Sequence, residues 1–169
     1  MKNLLLLRHA KSSWDHPENS DFERPLAPRG EKVLPVMGKV LEAMEPSVEK
    51  VFSSPAVRAL ETSRGVIREI SNPPELVEYP PLYLAELSVF LQLTHSLSPE
   101  LECVMFVGHN PGMESFCDWL CFGQQSGSTS LRTANLVWLE LEIEDWKDTT
   151  QGCAVLRALL PSRLMKALF

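Results

Sequence analysis

The chain has 169 residues, of which 44% are hydrophobic and 22% are charged, and its formal net charge is −6. This length and balance are those of an ordinary globular protein, and we expect one domain over residues 1–169. The acidic charge argues against a nucleic-acid partner, because binding a phosphate backbone requires a basic face. No apolar run is long enough for a transmembrane helix, and residues 4–7 are too short for a secretory signal, so we expect a cytoplasmic protein without a membrane partner.

The cysteines agree with that location. Cys117 and Cys121 are spaced i, i+4 on a predicted helix, which is not the CxxC spacing of zinc and redox sites. We interpret these two, together with Cys103 and Cys153, as thiols of a reducing cytoplasm, with no disulfide and no metal.

The first half of the chain alternates strand and helix patterns. NLLLLR at residues 3–8 predicts a buried strand, and the polar stretch after it, to residue 30, predicts a long loop. A helical apolar stripe covers residues 30–45, although Pro35 should break that helix unless it falls in the first turn. Next follow a short strand, EKVFSS, and a helix, PAVRALETSRGVIREI.

The second half continues in the same way. After an extended connection, NPPELVEYPP, the predicted elements are a helix at 84–97, a buried strand at 103–108, a helix at 111–122, a polar loop at 123–130, an alternating strand at 137–143, and a last strand or short helix at 152–164. Alternating strands and helices predict an α/β fold with a largely parallel sheet.

Polar residues follow three of these strands. Arg8 and His9 end the first strand, and Arg58 lies in the first turn of the helix after the second, for which Ser54 is a suitable N-cap and Pro55 a suitable first residue. His109 follows the third strand, where Asn110 and Pro111 repeat that pattern. Ligands of open α/β sheets bind where strands end and helices begin, so we expect these side chains to converge.

Two arginines and two histidines suit a phosphoryl group. Arginine forks match phosphate oxygens, one histidine can donate a hydrogen bond, and a second, neutral at one ring nitrogen, can attack phosphorus in line. The sequence has no aspartate pair and no HxH spacing of the kind that binds a metal, so we expect neither a metal nor another cofactor. Taken singly, Arg58 could instead be a solvated residue paired with Glu61 or Glu69, and His109 a capping residue. The residues alone predict an anion site.

Four stretches, RHAKSSW, DFERPLAPRG, SSPAVRALETS and VGHNPGMESF, resemble the histidine phosphatase superfamily (branch 1, phosphoglycerate-mutase-like), and within it the SixA-like phosphohistidine phosphatases. The match runs in order from Leu4 to about Leu120. It implies a three-layer α/β/α sandwich around a mainly parallel sheet. It also implies that His9 is a nucleophile that becomes phosphorylated, that Arg8 and Arg58 hold the phosphoryl oxygens, and that His109 is a further donor.

Two further residues are candidates for secondary roles. Arg24 lies in a stretch similar to the family's loop over the site, and a structural salt bridge to Asp21 or Glu23 is the other interpretation. Glu86 is the nearby carboxylate in the stretch YPPLYLAELSVFLQL. This stretch lacks the glycine and the paired acids that phosphoester-cleaving relatives carry. The other interpretation of Glu86 is a solvated or capping role. Imidazole leaves without a strong acid, so the loss of that acid favours P–N over P–O bonds.

The expected function is therefore that of a metal-independent phosphatase acting on phosphohistidine of a partner protein. One alternative is a phosphomonoesterase for a small phosphorylated molecule or a phosphoprotein, with Glu86 as the acid. Another alternative is a non-catalytic protein that binds phosphoryl groups.

Overall fold

The structure, a computed structural model, describes residues 1–124 and 127–168. Over these residues the strands are β1 (Lys2–Arg8), β2 (Lys50–Ser53), β3 (Glu75–Glu78), β4 (Cys103–Gly108), β5 (Leu136–Leu141) and β6 (Ala154–Leu160). The α-helices are α1 (Pro28–Glu31), α2 (Leu34–Glu42), α3 (Val57–Ile67), α4 (Leu87–His95), α5 (Gly112–Phe122) and α6 (Ser162–Leu168). Residues 125 and 126 of the predicted polar loop lie outside the described residues.

The strands form one sheet in the order β3-β2-β4-β1-β5-β6. β1 pairs in parallel with β4, which pairs in parallel with β2, and β2 with β3. β5 is antiparallel to both of its neighbours, β1 and β6. The expected α/β fold with a mainly parallel sheet and helices on both faces is thereby confirmed, and the sheet is mixed at β5.

The run of four leucines fills both faces of the sheet. Successive strand residues point to opposite faces, so Leu4 and Leu6 join one core cluster and Leu5 and Leu7 the other. The first cluster lies under α4 and α5 and includes the stacked rings of Phe90 and Phe116, whose centroids are 5.2 Å apart. The second lies under α2 and α3. A strand covered on both faces has no polar side, which explains its uninterrupted apolar sequence.

Several helix limits differ from the prediction. The expected helix at 30–45 is two helices, α1 and α2, and Pro35 falls in the first turn of α2, where a missing backbone N–H removes no helical hydrogen bond. The last segment forms both the strand β6 and the helix α6. No helix in the described part of the chain has the length and apolar character needed to cross a lipid bilayer.

The predicted starts of α3 and α5 were also wrong. α3 begins at Val57 rather than Pro55, because the chain is still extended at Ala56, and Ser54 uses its hydroxyl in a contact to His109. α5 begins at Gly112, one residue after Pro111. In both places a few residues of turn separate strand from helix.

Gly112 permits a close approach between α5 and the segment before α4. A Cβ added at Gly112 would lie 1.8 Å from the carbonyl oxygen of Ala85, which no side chain could tolerate without movement of the backbone. Because the two backbones touch here, the start of α5 lies next to the chain at Leu84 and Ala85. His109 is three residues before this contact.

Candidate active site

The predicted side chains come together at the carboxyl ends of three parallel strands. Arg8 is the last residue of β1 and His9 follows it, His109 follows β4, and Arg58 is the second residue of α3, which follows β2. All four line one cavity of about 260 Å³, which we call the cationic cavity. Its described lining residues are Arg8, His9, Lys11, Ser12, Trp14, Arg24, Arg58, Leu84, His109, Asn110 and Thr133.

His9 is neutral and has a defined tautomer. Its side chain is 7% exposed, and its Nδ1 lies 2.7 Å from the carbonyl oxygen of Ala10. A carbonyl can only accept, so Nδ1 carries the proton and Nε2 keeps its lone pair. Burial, followed by the positive charges of Arg58, Arg8 and Arg24, lowers the pKa of His9 to about 4, against an opposing contribution from the bond to Ala10. His9 therefore carries an unprotonated Nε2 at neutral pH.

Arg58 lies against that lone pair. It is 3% exposed, and its Nε donates to Nε2 of His9 at 3.3 Å. Its Nη2 donates to Oδ2 of Asp21 at 2.9 Å and to Nδ1 of His109 at 3.3 Å, and its Nη1 donates to the backbone carbonyl of Asp21. One guanidinium thus contacts both histidines and the long loop.

His109 completes the group beside His9. The two imidazole centroids are 5.1 Å apart, and Nε2 of His109 lies 2.7 Å from the hydroxyl of Ser54. Since Arg58 can only donate to Nδ1, the proton of His109 in this state is on Nε2 and is donated to Ser54. Burial, then the neighbouring His9 and Arg58, lowers the pKa of His109 to about 3.

Three buried polar side-chain atoms in the described residues have no hydrogen-bond partner, and all three belong to residues that line the cationic cavity. They are Nε of Arg8, Nε of Arg24 and Oδ1 of Asn110. The Nη1 of Arg8 donates to the carbonyl of Leu131 at 2.6 Å, and burial lowers the pKa of Arg8 from its ordinary value. Buried polar groups are rarely left unpaired, so two free N–H donors on neighbouring cations indicate a place for an anion.

The long loop after β1 carries Arg24 into the same cavity. Its ends are joined by a bridge between Ser12 and Leu26, and Arg24 donates to the hydroxyl of Ser12 at 2.5 Å. The guanidinium of Arg24 also lies 3.6 Å from Oδ1 of Asp21 and 3.6 Å from the ring centroid of Trp14. The structure therefore gives Arg24 both the cavity position and the salt bridge that the sequence left as alternatives.

Asp21 was not among the predicted site residues, although it lies in the DFERPLAPRG stretch. Its carboxylate accepts from Arg58 and, at 2.8 Å, from the hydroxyl of Tyr83. Although burial opposes the change, the hydrogen bonds from Tyr83 and Arg58 lower the pKa of Asp21. The ring of Tyr83 stands edge-on to His109, with centroids 5.6 Å apart. No spacing rule could have indicated Tyr83 or the Ser54 contact, since both depend on how distant segments pack.

Glu86 does not lie in the cationic cavity with Arg8, His9, Arg58 and His109. It is exposed, precedes α4, and makes no capping hydrogen bond with its side chain. It lines a neighbouring groove of about 570 Å³ that also contains Leu84, Pro111 and Gly112. Among the described residues that line the cationic cavity, none has a carboxyl group.

Comparison with known proteins gives a family match for part of the chain. The family model of the histidine phosphatase superfamily (branch 1) matches residues 4–79. An uncharacterised chloroplastic protein of Arabidopsis thaliana is 27% identical over 156 residues, which cover 87% of this chain and 70% of that protein.

Solved structures share the whole fold. A protein of Agrobacterium tumefaciens assigned as phosphohistidine phosphatase SixA is 25% identical, with a TM-score of 0.79 over 95% of this chain and 97% of that chain. The protein histidine phosphatase SixA complexed with tungstate is 21% identical, with a TM-score of 0.80 over 95% of this chain and 97% of that chain. Residues 4–79 thus match branch 1 of the histidine phosphatase superfamily, and the fold over nearly the whole chain is similar to that of the SixA proteins, which together support a phosphatase.

Proposed function

We propose that the protein removes phosphoryl groups from phosphohistidine on a partner protein, with His9 as the nucleophile. The observation that carries the proposal is the state of His9: its Nδ1 is bonded to Ala10, and its Nε2 lone pair lies within a cavity lined by cations. A neutral imidazole nitrogen is a competent nucleophile for phosphorus when the charge on the phosphoryl oxygens is neutralised.

The neighbouring side chains supply that neutralisation. The unpaired Nε of Arg8 donates to a phosphoryl oxygen, and Arg58 transfers the hydrogen bond of its Nε from Nε2 of His9 to another, which frees that lone pair for attack. His109 donates from Nδ1 once the oxygens displace Arg58 from that atom. In this step Nε2 releases its proton to solvent and Nδ1 takes one up from solvent, and Ser54, whose hydroxyl both donates and accepts, then donates to Nε2. Arg8, which Leu131 holds in place, is the donor that is fixed before the reaction, and such donors stabilise the transition state most effectively.

The reaction takes two balanced steps. In the first, Nε2 of His9 forms a bond to phosphorus while the bond from phosphorus to the substrate's imidazole nitrogen breaks. That imidazole, protonated on its second nitrogen by water, leaves as a neutral molecule with the bonding electron pair. In the second, water attacks phosphorus, the bond to Nε2 breaks, and phosphate is released with the water's proton passing to solvent. His9 returns to its starting tautomer.

The described lining of the cationic cavity contains no carboxyl group, and this favours a P–N substrate. An imidazole that is protonated on its second nitrogen leaves as a neutral molecule, and its pKa of about 6.5 lets water supply that proton. An alkoxide needs a proton from a side chain. Glu86 lies outside the cationic cavity, and Asp21 has a lowered pKa and is paired with Arg58, so neither is suited to donate one.

A protein with the same fold supports an oxyanion site. The protein histidine phosphatase SixA, whose structure is similar to this one, has been solved as a complex with tungstate. Tungstate is a tetrahedral oxyanion like phosphate. We infer that the cationic cavity of this chain accepts the same shape and charge.

A panel of substrates tests the proposal. Turnover of a phosphohistidine protein, an aryl phosphate and an alkyl phosphate is compared for the wild type, His9→Ala and Glu86→Gln. The expected result is strong preference for the P–N substrate, no activity or phosphoenzyme in His9→Ala, and unchanged preference in Glu86→Gln. Efficient alkyl phosphate cleavage that is lost in Glu86→Gln would instead establish a phosphomonoesterase. Phosphate binding without any turnover would establish a binding protein.

A further inference from the structure

The rim of the cationic cavity has two exposed apolar residues. Trp14 is 70% exposed and Leu84 is 55% exposed, and both line the cavity that contains His9. Exposed large apolar side chains are individually common, but two at the opening of a charged cavity call for a physical explanation.

Trp14 is held in place rather than free. The guanidinium of Arg24 lies 3.6 Å from the centroid of its ring, and Arg24 itself is buried and bonded to Ser12. A cation on one face fixes the ring and leaves its other surface to solvent. A rigid aromatic ring loses little conformational entropy when a partner covers it.

Leu84 is held in a strained conformation. Its φ angle is +48°, in the left-handed region that leucine rarely adopts, and it lies between the buried residues Leu82 and Ala85. Glycine or asparagine would fit this backbone with less strain. An exposed leucine at this point is unfavourable for the free protein in two respects, through its backbone and through its contact with water.

The two residues connect the cavity to a groove on each side. Trp14 and Arg24 also line a groove of about 360 Å³ that contains Pro17 and Asp21. Leu84 also lines the groove of about 570 Å³ beside Glu86 and Gly112. The cationic cavity, at about 260 Å³, is therefore the middle of an open trench formed by three adjoining depressions.

We propose that Trp14 and Leu84 form a docking surface for the polypeptide that flanks the phosphorylated histidine of a partner protein. This inference rests on the proposed function and names the part of the substrate that the trench contacts. The cavity is smaller than a typical pocket for a drug-sized molecule, so it suits a phosphorylated side chain, and the grooves suit the chain on either side of it. Apolar partner residues next to the histidine would cover the tryptophan ring and the leucine.

The test uses three P–N substrates. The first is phosphoramidate, the second a peptide with one phosphohistidine flanked by leucines, and the third the same peptide flanked by serines. In the wild type, we expect kcat/KM to be about ten-fold higher for the leucine-flanked peptide than for the serine-flanked one, through KM, because covering an apolar side chain contributes about that much. In Trp14→Ala and Leu84→Asn this ratio should fall toward one.

The matched control is Phe122→Ala. Phe122 is 54% exposed and ends α5, whose first residues border the trench, so it lies about 15 Å from them along the helix. This variant should keep the wild-type ratio. Asparagine suits a left-handed backbone, so a fall of the ratio in Leu84→Asn reports the apolar contact rather than a folding defect.

Failure of this inference is distinct from failure of the proposed function. If the wild type turns over none of the three substrates, the proposed function is wrong. If it turns over all three but does not distinguish the two peptides, or if Trp14→Ala and Leu84→Asn keep the wild-type ratio, the docking surface is wrong and the proposed function stands.

Discussion

The Nε atom of Arg58 lies 3.3 Å from Nε2 of His9, so a buried cation sits next to the lone pair of the proposed nucleophile. This single contact has two consequences. It adds to the effect of burial in keeping His9 unprotonated, and it places a permanent positive charge where the oxygens of an attacked phosphoryl group would lie.

Replacement of Arg58 by alanine tests both consequences. We expect kcat/KM on a P–N substrate to fall by about 10²–10³-fold, which is typical for the loss of one donor to a developing charge. We also expect the acid limb of the pH profile to move upward from about pH 4, because one of the charges that lower the pKa of His9 is gone. Arg64→Ala, an exposed arginine on the same helix, should change neither quantity. An unshifted acid limb in Arg58→Ala would contradict the electrostatic role.

The buried histidines also predict how stability depends on pH. In the unfolded chain, histidine binds a proton below about pH 6.5, whereas folded His9 and His109 stay neutral to about pH 4 and 3. Between pH 6.5 and 4 the unfolded state therefore binds more protons, and stability falls as the pH falls. The effect is about 2 kcal/mol per histidine between pH 7 and pH 5.

Urea unfolding at pH 7, 6 and 5 measures this dependence. Carboxylates contribute little in that range, because their ordinary pKa values lie near 4. The variants His9→Asn and His109→Asn should each have a shallower dependence than the wild type. A midpoint that stays constant from pH 7 to pH 5 in the wild type would show that the two rings are not buried neutral.

Asp21 competes with the phosphoryl group for Arg58. Its carboxylate lies 2.9 Å from Nη2 of Arg58, and its negative charge opposes the approach of an anion. Asp21→Asn keeps an acceptor of the same shape and removes the charge, so we expect inhibition by tungstate or phosphate to become about two- to five-fold stronger. The control is Glu23→Gln, an exposed carboxylate two residues along that bonds to Ser20. Weaker inhibition in Asp21→Asn would mean that the charge mainly positions Arg58.

Gly112→Ala tests the close packing that sets the site. A Cβ there would lie 1.8 Å from the carbonyl oxygen of Ala85, so the start of α5 must move. We expect a loss of about 1–3 kcal/mol in the free energy of unfolding, together with reduced turnover, because His109 and Leu84 border this contact. At Gly108 the nearest atom to an added Cβ is 3.6 Å away, an ordinary contact, so Gly108→Ala should be much milder. Equal stabilities of the two variants in urea would contradict the packing argument.

Much of the arrangement of Arg8, His9, Arg58 and His109 could be predicted from the sequence. Each follows a strand or begins the helix after one, and parallel strands bring their carboxyl ends to the same edge of a sheet. The helix starts were less predictable: Ser54 looks like an N-cap, but its hydroxyl contacts His109. A local pattern does not reveal that a distant residue competes for the same group.

The sequence by itself determined the alternation of strands and helices, the two-sided burial of Leu4 to Leu7, and the four polar residues at strand ends, because these follow from side-chain periodicity along a short stretch. Only the tertiary structure decided that Asp21 and Tyr83 meet Arg58 and His109, that Glu86 stays outside the cavity, and that Trp14 and Leu84 border it. These residues lie on loops and turns without a repeating pattern, and their positions are set by packing between segments far apart in the chain.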